Sequence, residues 1–362
     1  MKIAVIRFGR FGDILLTVPA IALLRRMLPH IRILYLTKTY YNDLIYLFND
    51  VDDAICIPQN ASLSSIRRRV RAHAPDALLD FHGNLRSRLI CGSLAIPVYR
   101  SVAHTWRRRL LVHGMEVSPP PPVWKRHVET VLRLCDDFGL AADSGGSEHR
   151  DEGSPRGWST IFDANGGLFD LNGGERRSRT KIVLLPGAGY RTKQWPMKHF
   201  VQLGIILRAE GIEVDVVGSA EEAALVNEIA AAAKLGGYSG LPLPALSKLL
   251  GTATLAVGND SGLAHFAETM GTRVIMLFGP TDPRLGFGPR LNGSLALGLD
   301  LRCRPCSLHG EKACRLKHRT CLDNLPPSLV AARVLSALKH PDVRSRKAEW
   351  DVFFGGGPSR TG

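Results

Sequence analysis

Four short segments carry residue types suited to a phosphorylated, hydroxyl-rich ligand. The first, Arg7-Phe8-Gly9-Arg10-Phe11-Gly12-Asp13, follows the apolar run KIAVIRF. Its glycines permit a tight turn and close backbone approach to a ligand. Asp13, at the start of a helix, reads either as a helix cap or as a general base. The second segment runs from Pro186 to Pro196, PGAGYRTKQWP. Backbone N–H groups at Gly187 and Gly189, with the cations Arg191 and Lys193, are what binding a diphosphate requires. The third, Gly218-Ser219-Ala220-Glu221-Glu222, places carboxylates after a β-run. There they accept from ribose hydroxyls or simply favour a helix N-terminus. The fourth, Gly258-Asn259-Asp260-Ser261-Gly262-Leu263-Ala264-His265, is a polar turn leading into a helix. Asp260 as a cap and His265 as a core histidine are the plain alternatives, but so many polar and small residues exceed what capping needs.

Something must hold these segments at one edge, and the hydrophobic pattern supplies it. KIAVIRF, RILYLTK, AICIP and ALLDFH read as strands. Between them come helices from Asp13 to Met27, around YNDLIYLFN, and in a basic stretch that Ser62 to Ser65 can cap. After a Gly-, Ser- and charge-rich stretch from Asp143 to Arg179, with apolar groups only in WSTIFD and GLFDL, the alternation restarts. KIVLLPGAG, VDVVGSAEE, LAVGND and a final strand RVIMLFGP alternate with helices after Pro196, at EEAALVNEIAAAAK, PALSKLLGTA and GLAHFAETMG, and PPSLVAARVLSALKH follows. Such alternation means right-handed βαβ units and parallel sheets, whose ligands bind beyond the strands' carboxyl ends. The reading is an α/β chain of two doubly wound domains facing each other across a cleft. Residues 1–142 form the first domain, 143–180 a linker, 181–340 the second domain and 341–362 a loosely ordered tail.

A chain of 362 residues, 45% hydrophobic and 22% charged, has the size and composition of a two-domain globular protein. No run of 18 apolar residues occurs, so a spanning helix is not expected. Arg7, Arg10 and Asp13 break the apolar start, which reads as part of the fold and points to the cytoplasm. The net charge of +14 calls for an anionic partner or a solvated basic surface. Neither GxGxxG nor a Walker A sequence is present, which argues against a dinucleotide oxidoreductase and a nucleotide hydrolase. Nucleic acid is not expected either: no reading motif occurs, and aromatics do not interleave with the basic runs.

Together, the Gly-Asp turn, PGAG…KQWP, GNDSGLAH, LFGPTDP and the Arg86-Ser87 pair in FHGNLRSRL resemble glycosyltransferase family 9, the ADP-heptose:lipopolysaccharide heptosyltransferases. The match spans nearly the whole chain, in order and spacing. The resemblance implies a GT-B fold of two Rossmann-like domains and inverting transfer of a heptose, or a related sugar, from an ADP-sugar to a glycan hydroxyl. It implies Asp13 as the base, Lys193 on the donor phosphates and Glu222 on the adenosine ribose. Asp260, Ser261, Gly262 and His265 would hold the donor sugar and diphosphate, with no cofactor for catalysis. The acceptor would be an anionic glycolipid met by the first domain, where Gly12, Arg67, Arg71 and Arg86 are the candidates. One of the arginine clusters, at 67–71 or 107–109, would contact that acceptor or inner-leaflet headgroups, placing the protein peripherally on the cytoplasmic membrane, unless it is an idle solvated face.

Of seven cysteines, Cys56, Cys91 and Cys135 have apolar surroundings and read as buried thiols. Cys303-x2-Cys306-x7-Cys314-x6-Cys321 has the look of a structural four-thiolate zinc site, with His309 or His318 as substitutes and free thiols as the alternative.

Overall fold

The computed structural model describes residues 1–139, 180–340 and 352–353. WSTIFD, GLFDL and nearly all of the expected linker and tail lie outside these residues.

One unit comprises Met1–Ala103 with the described residues from Val123 on. Strands β1 (Lys2–Ile6), β2 (Arg32–Lys38), β3 (Asp53–Ile57), β4 (Ala77–Asp80) and β5 (Val98–Arg100) form a parallel sheet in the order β3-β2-β1-β4-β5. Helices α1 (Phe11–Leu15), α2 (Val18–Met27), α3 (Asn42–Ile45), α4 (Leu63–His73) and α5 (Leu85–Cys91) connect them. After α6 (Thr105–Val112), which belongs to the other unit, α7 (Val123–Asp137) completes this one. Ile3–Ile6 and all of β4 are buried, as expected of strands covered on both faces. The helix expected from Asp13 to Met27 forms as two. Pro19, in the first turn of α2, cannot donate to the carbonyl of Leu15, so the ladder breaks there. Ser62 caps α4 as expected, accepting from the amide of Ser65 at 3.2 Å.

The other unit holds His104–Pro122 and the described residues from 180 on. Strands β6 (Lys181–Leu185), β7 (Glu213–Gly218), β8 (Gly236–Ser239), β9 (Leu255–Asn259), β10 (Val274–Leu277), β11 (Leu295–Leu299) and β12 (Val352–Phe353) are all parallel, in the order β12-β11-β10-β9-β6-β7-β8. Helices α8 (Met197–Ala209), α9 (Ala223–Ala233), α10 (Leu243–Thr252), α11 (Gly262–Thr269), α12 (Thr320–Asp323) and α13 (Pro327–Lys339) surround a core that includes Leu184, Phe200, Val216, Val257 and Leu277. The strand expected to be final, β10, is followed by two more. Edge strand β8 (GGYS) lacks an apolar run because α9 packs close: a Cβ at Gly237 would stand 2.8 Å from the Cβ of Ala230.

The division is not a single cut near residue 142. Leu111 and Val112 of α6 bury with Leu285, and Arg108 lies 4.7 Å from the Phe287 ring. Apolar burial therefore assigns this segment to the second unit.

Both sheets run 3-2-1-4-5 from their own first strand, so each has a switch point between its first and fourth strands, β1/β4 and β6/β9. Loops that leave these strands diverge to opposite faces and open a crevice at the carboxyl edge.

Candidate active site

In the first unit the loops after β1 and β4 are tied together by Arg7. Its Nη2 lies 2.6 Å from Oδ2 of Asp13, and its Nη1 donates to the carbonyl of Phe81 at 2.6 Å. Asp13 is not the helix cap. Arg10 occupies that position, and Asp13, on the first turn, accepts from the Arg10 amide at 3.3 Å. Its carboxylate is therefore aimed by two groups while remaining 23% exposed. Gly9 has φ +135°, and a Cβ there would stand 2.7 Å from the ring of Tyr41, so the turn requires glycine. Gly12 lies inside α1.

Buried Asp80 shapes the facing loop. It accepts from the amides of His82 and Gly83 at 3.1 and 2.9 Å and from the Ser87 hydroxyl at 3.0 Å. His82 packs edge-on against Phe8. Burial, with the Arg7 guanidinium, pushes its pKa down to about 4. His127, stacked on Phe81, is held well below 6.5 by burial, Arg7 and Arg126. These histidines fold as neutral rings, whereas the unfolded chain protonates them near pH 6.5. Their stabilisation is thus present above pH 6.5 and is lost as pH falls below it, for His82 over the span down to about 4. The melting temperature should decline across that window in wild type and decline less in His82→Gln. Superimposable profiles would refute the assignment.

The arginines expected at the acceptor divide. Arg86 stays near the loop, its guanidinium 6.0 Å from the Phe8 ring while it donates to the carbonyl of Ala61. Arg67 and Arg71 instead clamp α4 to the far end of α5, donating to the carbonyls of Leu89 and Ser93 at 2.6 and 2.7 Å.

In the second unit the switch point gathers the donor candidates. Lys193, in a short 3-10 turn after β6, places Nζ 2.8 Å from Oδ2 of Asp260, at the end of β9. The same oxygen accepts from the Thr281 hydroxyl at 2.8 Å. Burial pushes the Asp260 carboxyl up, but Lys193, His265 and Thr281 outweigh it and hold the group below the usual carboxylate range. Ser261 caps α11, whose first turn begins at Gly262 and carries buried His265. Glu222, after β7, accepts from the Ser219 amide at 2.9 Å. Its carboxylate fills the space a Cβ on Gly187 would need, so the loops after β6 and β7 touch there. Gly189 and Arg191 are exposed on the same loop.

Residue roles the sequence left unassigned also appear. Asn259, fully buried, receives the Trp195 amide at 2.9 Å and donates to the carbonyl of Pro186 at 2.7 Å, locking the Lys193 loop to β9. Thr281 fixes Asp260, and Arg7 fixes Asp13. Asn259 and Thr281 stand in quoted motifs, but only the tertiary pairing reveals what they touch. The arrangement offers cations, backbone N–H groups at a helix start and a carboxylate after β7 along one edge, groups whose chemistry can hold phosphates and a sugar hydroxyl.

The sequence profile of glycosyltransferase family 9 (heptosyltransferase) matches residues 63–318. The chain is 24% identical over 373 residues to lipopolysaccharide heptosyltransferase 1 of Pseudomonas aeruginosa, covering 95% of this chain and 99% of that protein. Among solved structures it resembles E. coli ADP-heptose LPS heptosyltransferase II, with TM-score 0.64, 21% identity and coverage of 94% and 99%. It also resembles E. coli heptosyltransferase WaaC with ADP, with TM-score 0.57, 19% identity and coverage of 78% and 89%. These likenesses agree with the two Rossmann-like units, and the chain belongs to glycosyltransferase family 9 as an enzyme of the GT-B fold.

Proposed function

We propose that this glycosyltransferase moves a heptose from ADP-heptose to a hydroxyl of a lipopolysaccharide inner-core acceptor, with inversion at the anomeric carbon. The observation that carries the reading is the Lys193–Asp260 ion pair at the β6/β9 switch point, beside the start of α11, on a loop whose Gly187 meets the Glu222 carboxylate. In this reading Lys193 and the N–H groups of the α11 first turn neutralise the diphosphate as it leaves. Glu222 accepts from the ribose hydroxyls. Asp260, with Ser261, Gly262 and His265, orients the sugar and diphosphate, while Gly187, Gly189 and Arg191 border the phosphates. Asp13, aimed by Arg7, takes the proton of the acceptor hydroxyl as its oxygen bonds to the anomeric carbon and the bond to the diphosphate breaks.

The acceptor in this reading is lipid-linked. No helix among the described residues is long and apolar enough to cross a membrane. Surface docking at the inner face is therefore the proposed mode, and α5 exposes Leu85 and Leu89 beside Arg88, a combination suited to an anionic bilayer. The donor assignment is tested by calorimetry of the purified chain against ADP, UDP, GDP, CMP and NAD. Selective binding of ADP, lost in Glu222→Ala, is expected. Preference for UDP or GDP would reassign the donor, and binding of NAD alone would overturn the reading.

A further inference from the structure

Cys303, Cys306, Cys314 and Cys321 line one pocket, yet among the described residues no three His, Cys, Asp or Glu side chains stand where they could hold a metal ion. The four-thiolate arrangement suggested by their spacing is therefore not formed there. The first unit holds a feature that carries further, an aromatic pair on the Asp13 turn.

Strands β1 and β2 run parallel with Ile6 beside Leu36, and the Arg7 amide donates to the carbonyl of Leu36 at 3.1 Å. The turn from Gly9 to Asp13 and the 3-10 turn Thr39–Tyr41 therefore leave neighbouring strands at one carboxyl edge. Tyr41 lies on Gly9, where its Cε2 and hydroxyl occupy the space a Cβ would need. The next residue, Arg10, donates its amide to Asp13, so the Tyr41 ring packs on the same turn that aims the carboxylate. Burial, Tyr40 and Asp13 push the Tyr41 phenol above its usual value, and the hydroxyl stays protonated. Tyr40 meets Tyr41 edge-on, with ring centroids 5.1 Å apart, and is 85% exposed. The pair sits on an anchored turn: α3 follows at once and buries Leu44 and Ile45, and the Asn42 side chain accepts from the Cys56 thiol at 2.8 Å.

A ring held out in solvent adds little to the fold. It offers instead a flat face of negative potential, and fixing it costs little entropy because only two side-chain torsions are involved. Sugar C–H bonds, polarised positive by the adjoining oxygens, are complementary to such a face. Arg10, exposed on the same turn, adds a cation for acidic substituents.

We infer that Tyr40 is the stacking platform for the acceptor sugar on which Asp13 acts, and that Tyr41 is the positioning residue that holds this ring at the Asp13 turn. The inference rests on the reading of Asp13 as the base for the acceptor hydroxyl. The ligand class it assigns to Tyr40 is the apolar face of a sugar ring within an anionic oligosaccharide.

The test uses the full chain and, as probe, a de-acylated inner-core oligosaccharide lacking the sugar to be added, so that no lipid contact contributes. By calorimetry Tyr40→Ala should bind it about tenfold more weakly, the upper end of what one aromatic contact contributes. The acceptor KM should rise to match, while kcat, ADP affinity and melting temperature hold. Tyr40→Trp should restore affinity, because an aromatic face returns. Tyr41→Leu should raise the acceptor KM as well, and Tyr41→Phe, which keeps the edge-on ring, should not. Equal affinity in wild type and Tyr40→Ala, or no binding by wild type, would overturn the platform. So would a Tyr40→Ala chain that loses only its binding to phosphatidylglycerol vesicles, since the ring then serves the bilayer. An unchanged acceptor KM in Tyr41→Leu would remove the positioning role. Turnover that survives Asp13→Asn, with affinity still lost in Tyr40→Ala, would refute the base reading and keep the platform. Binding without transfer from ADP-heptose would refute the donor reading alone.

Discussion

Asp13→Asn is expected to lose turnover by roughly 10²- to 10⁴-fold, the range over which a positioned base contributes, while ADP affinity stays within about twofold. Asn preserves the size of the side chain and one oxygen, so the hydrogen bond from the Arg10 amide can persist. It cannot accept a proton from a hydroxyl, and it forfeits the ion pair with Arg7. Donor affinity is expected to hold because the donor candidates belong to the other compact unit. Steady-state kinetics and calorimetry on one preparation separate the two quantities. Near-normal turnover would remove Asp13 from the mechanism. Arg7→Met provides a graded comparison: the base remains but its orientation is lost, so an intermediate fall is expected.

Lys193→Ala should weaken ADP binding and turnover together, and it should destabilise the fold. Asp260 is 8% exposed at its side chain; it would keep the hydrogen bond from the Thr281 hydroxyl but lose its ammonium partner. Breaking a buried pair by removing one partner costs about 3–5 kcal/mol. Adding Asp260→Asn to Lys193→Ala should restore much of the melting temperature, because the uncompensated charge is gone. It should not restore ADP binding, because no cation returns to the phosphates. If the double variant recovers affinity as well, Lys193 acts on the fold alone and its phosphate role is wrong. Asp260 also adds to the acid sensitivity expected of His82. Its depressed folded pKa makes its stabilisation present above the ordinary carboxylate range and lost as pH falls below it.

Much of this site was legible before any coordinates. PGAG…KQWP and GNDSGLAH placed Lys193 and Asp260 on loops after strands, and doubly wound topology leaves such loops at one edge. Parallel strands buried on both faces appear as continuous apolar runs, so RILYLTK matched Arg32–Lys38 residue for residue. What escaped had weak local signals. The edge strand Gly236–Ser239 has no apolar run, and the break at Pro19 sits inside an otherwise helical pattern. The arginines at 67 and 71 show why a charge cluster is ambiguous. The same guanidinium serves a phosphate or a helix-end carbonyl, and composition is identical in both cases.

By itself the sequence determined the alternation of strands and helices, the glycine turns and the identity of the charged residues at the strand ends, because each depends on local periodicity and local backbone freedom. Tertiary structure decided which charges meet. Arg7 and Asp13 are six positions apart, but Lys193 and Asp260 are separated by 67 and meet only because β6 and β9 are neighbours across the switch point. It also assigned His104–Pro122 to the second unit and drew four cysteines onto one pocket wall. Pairing over such distances in the chain is set by burial of apolar surface across a whole sheet, which no window of sequence contains.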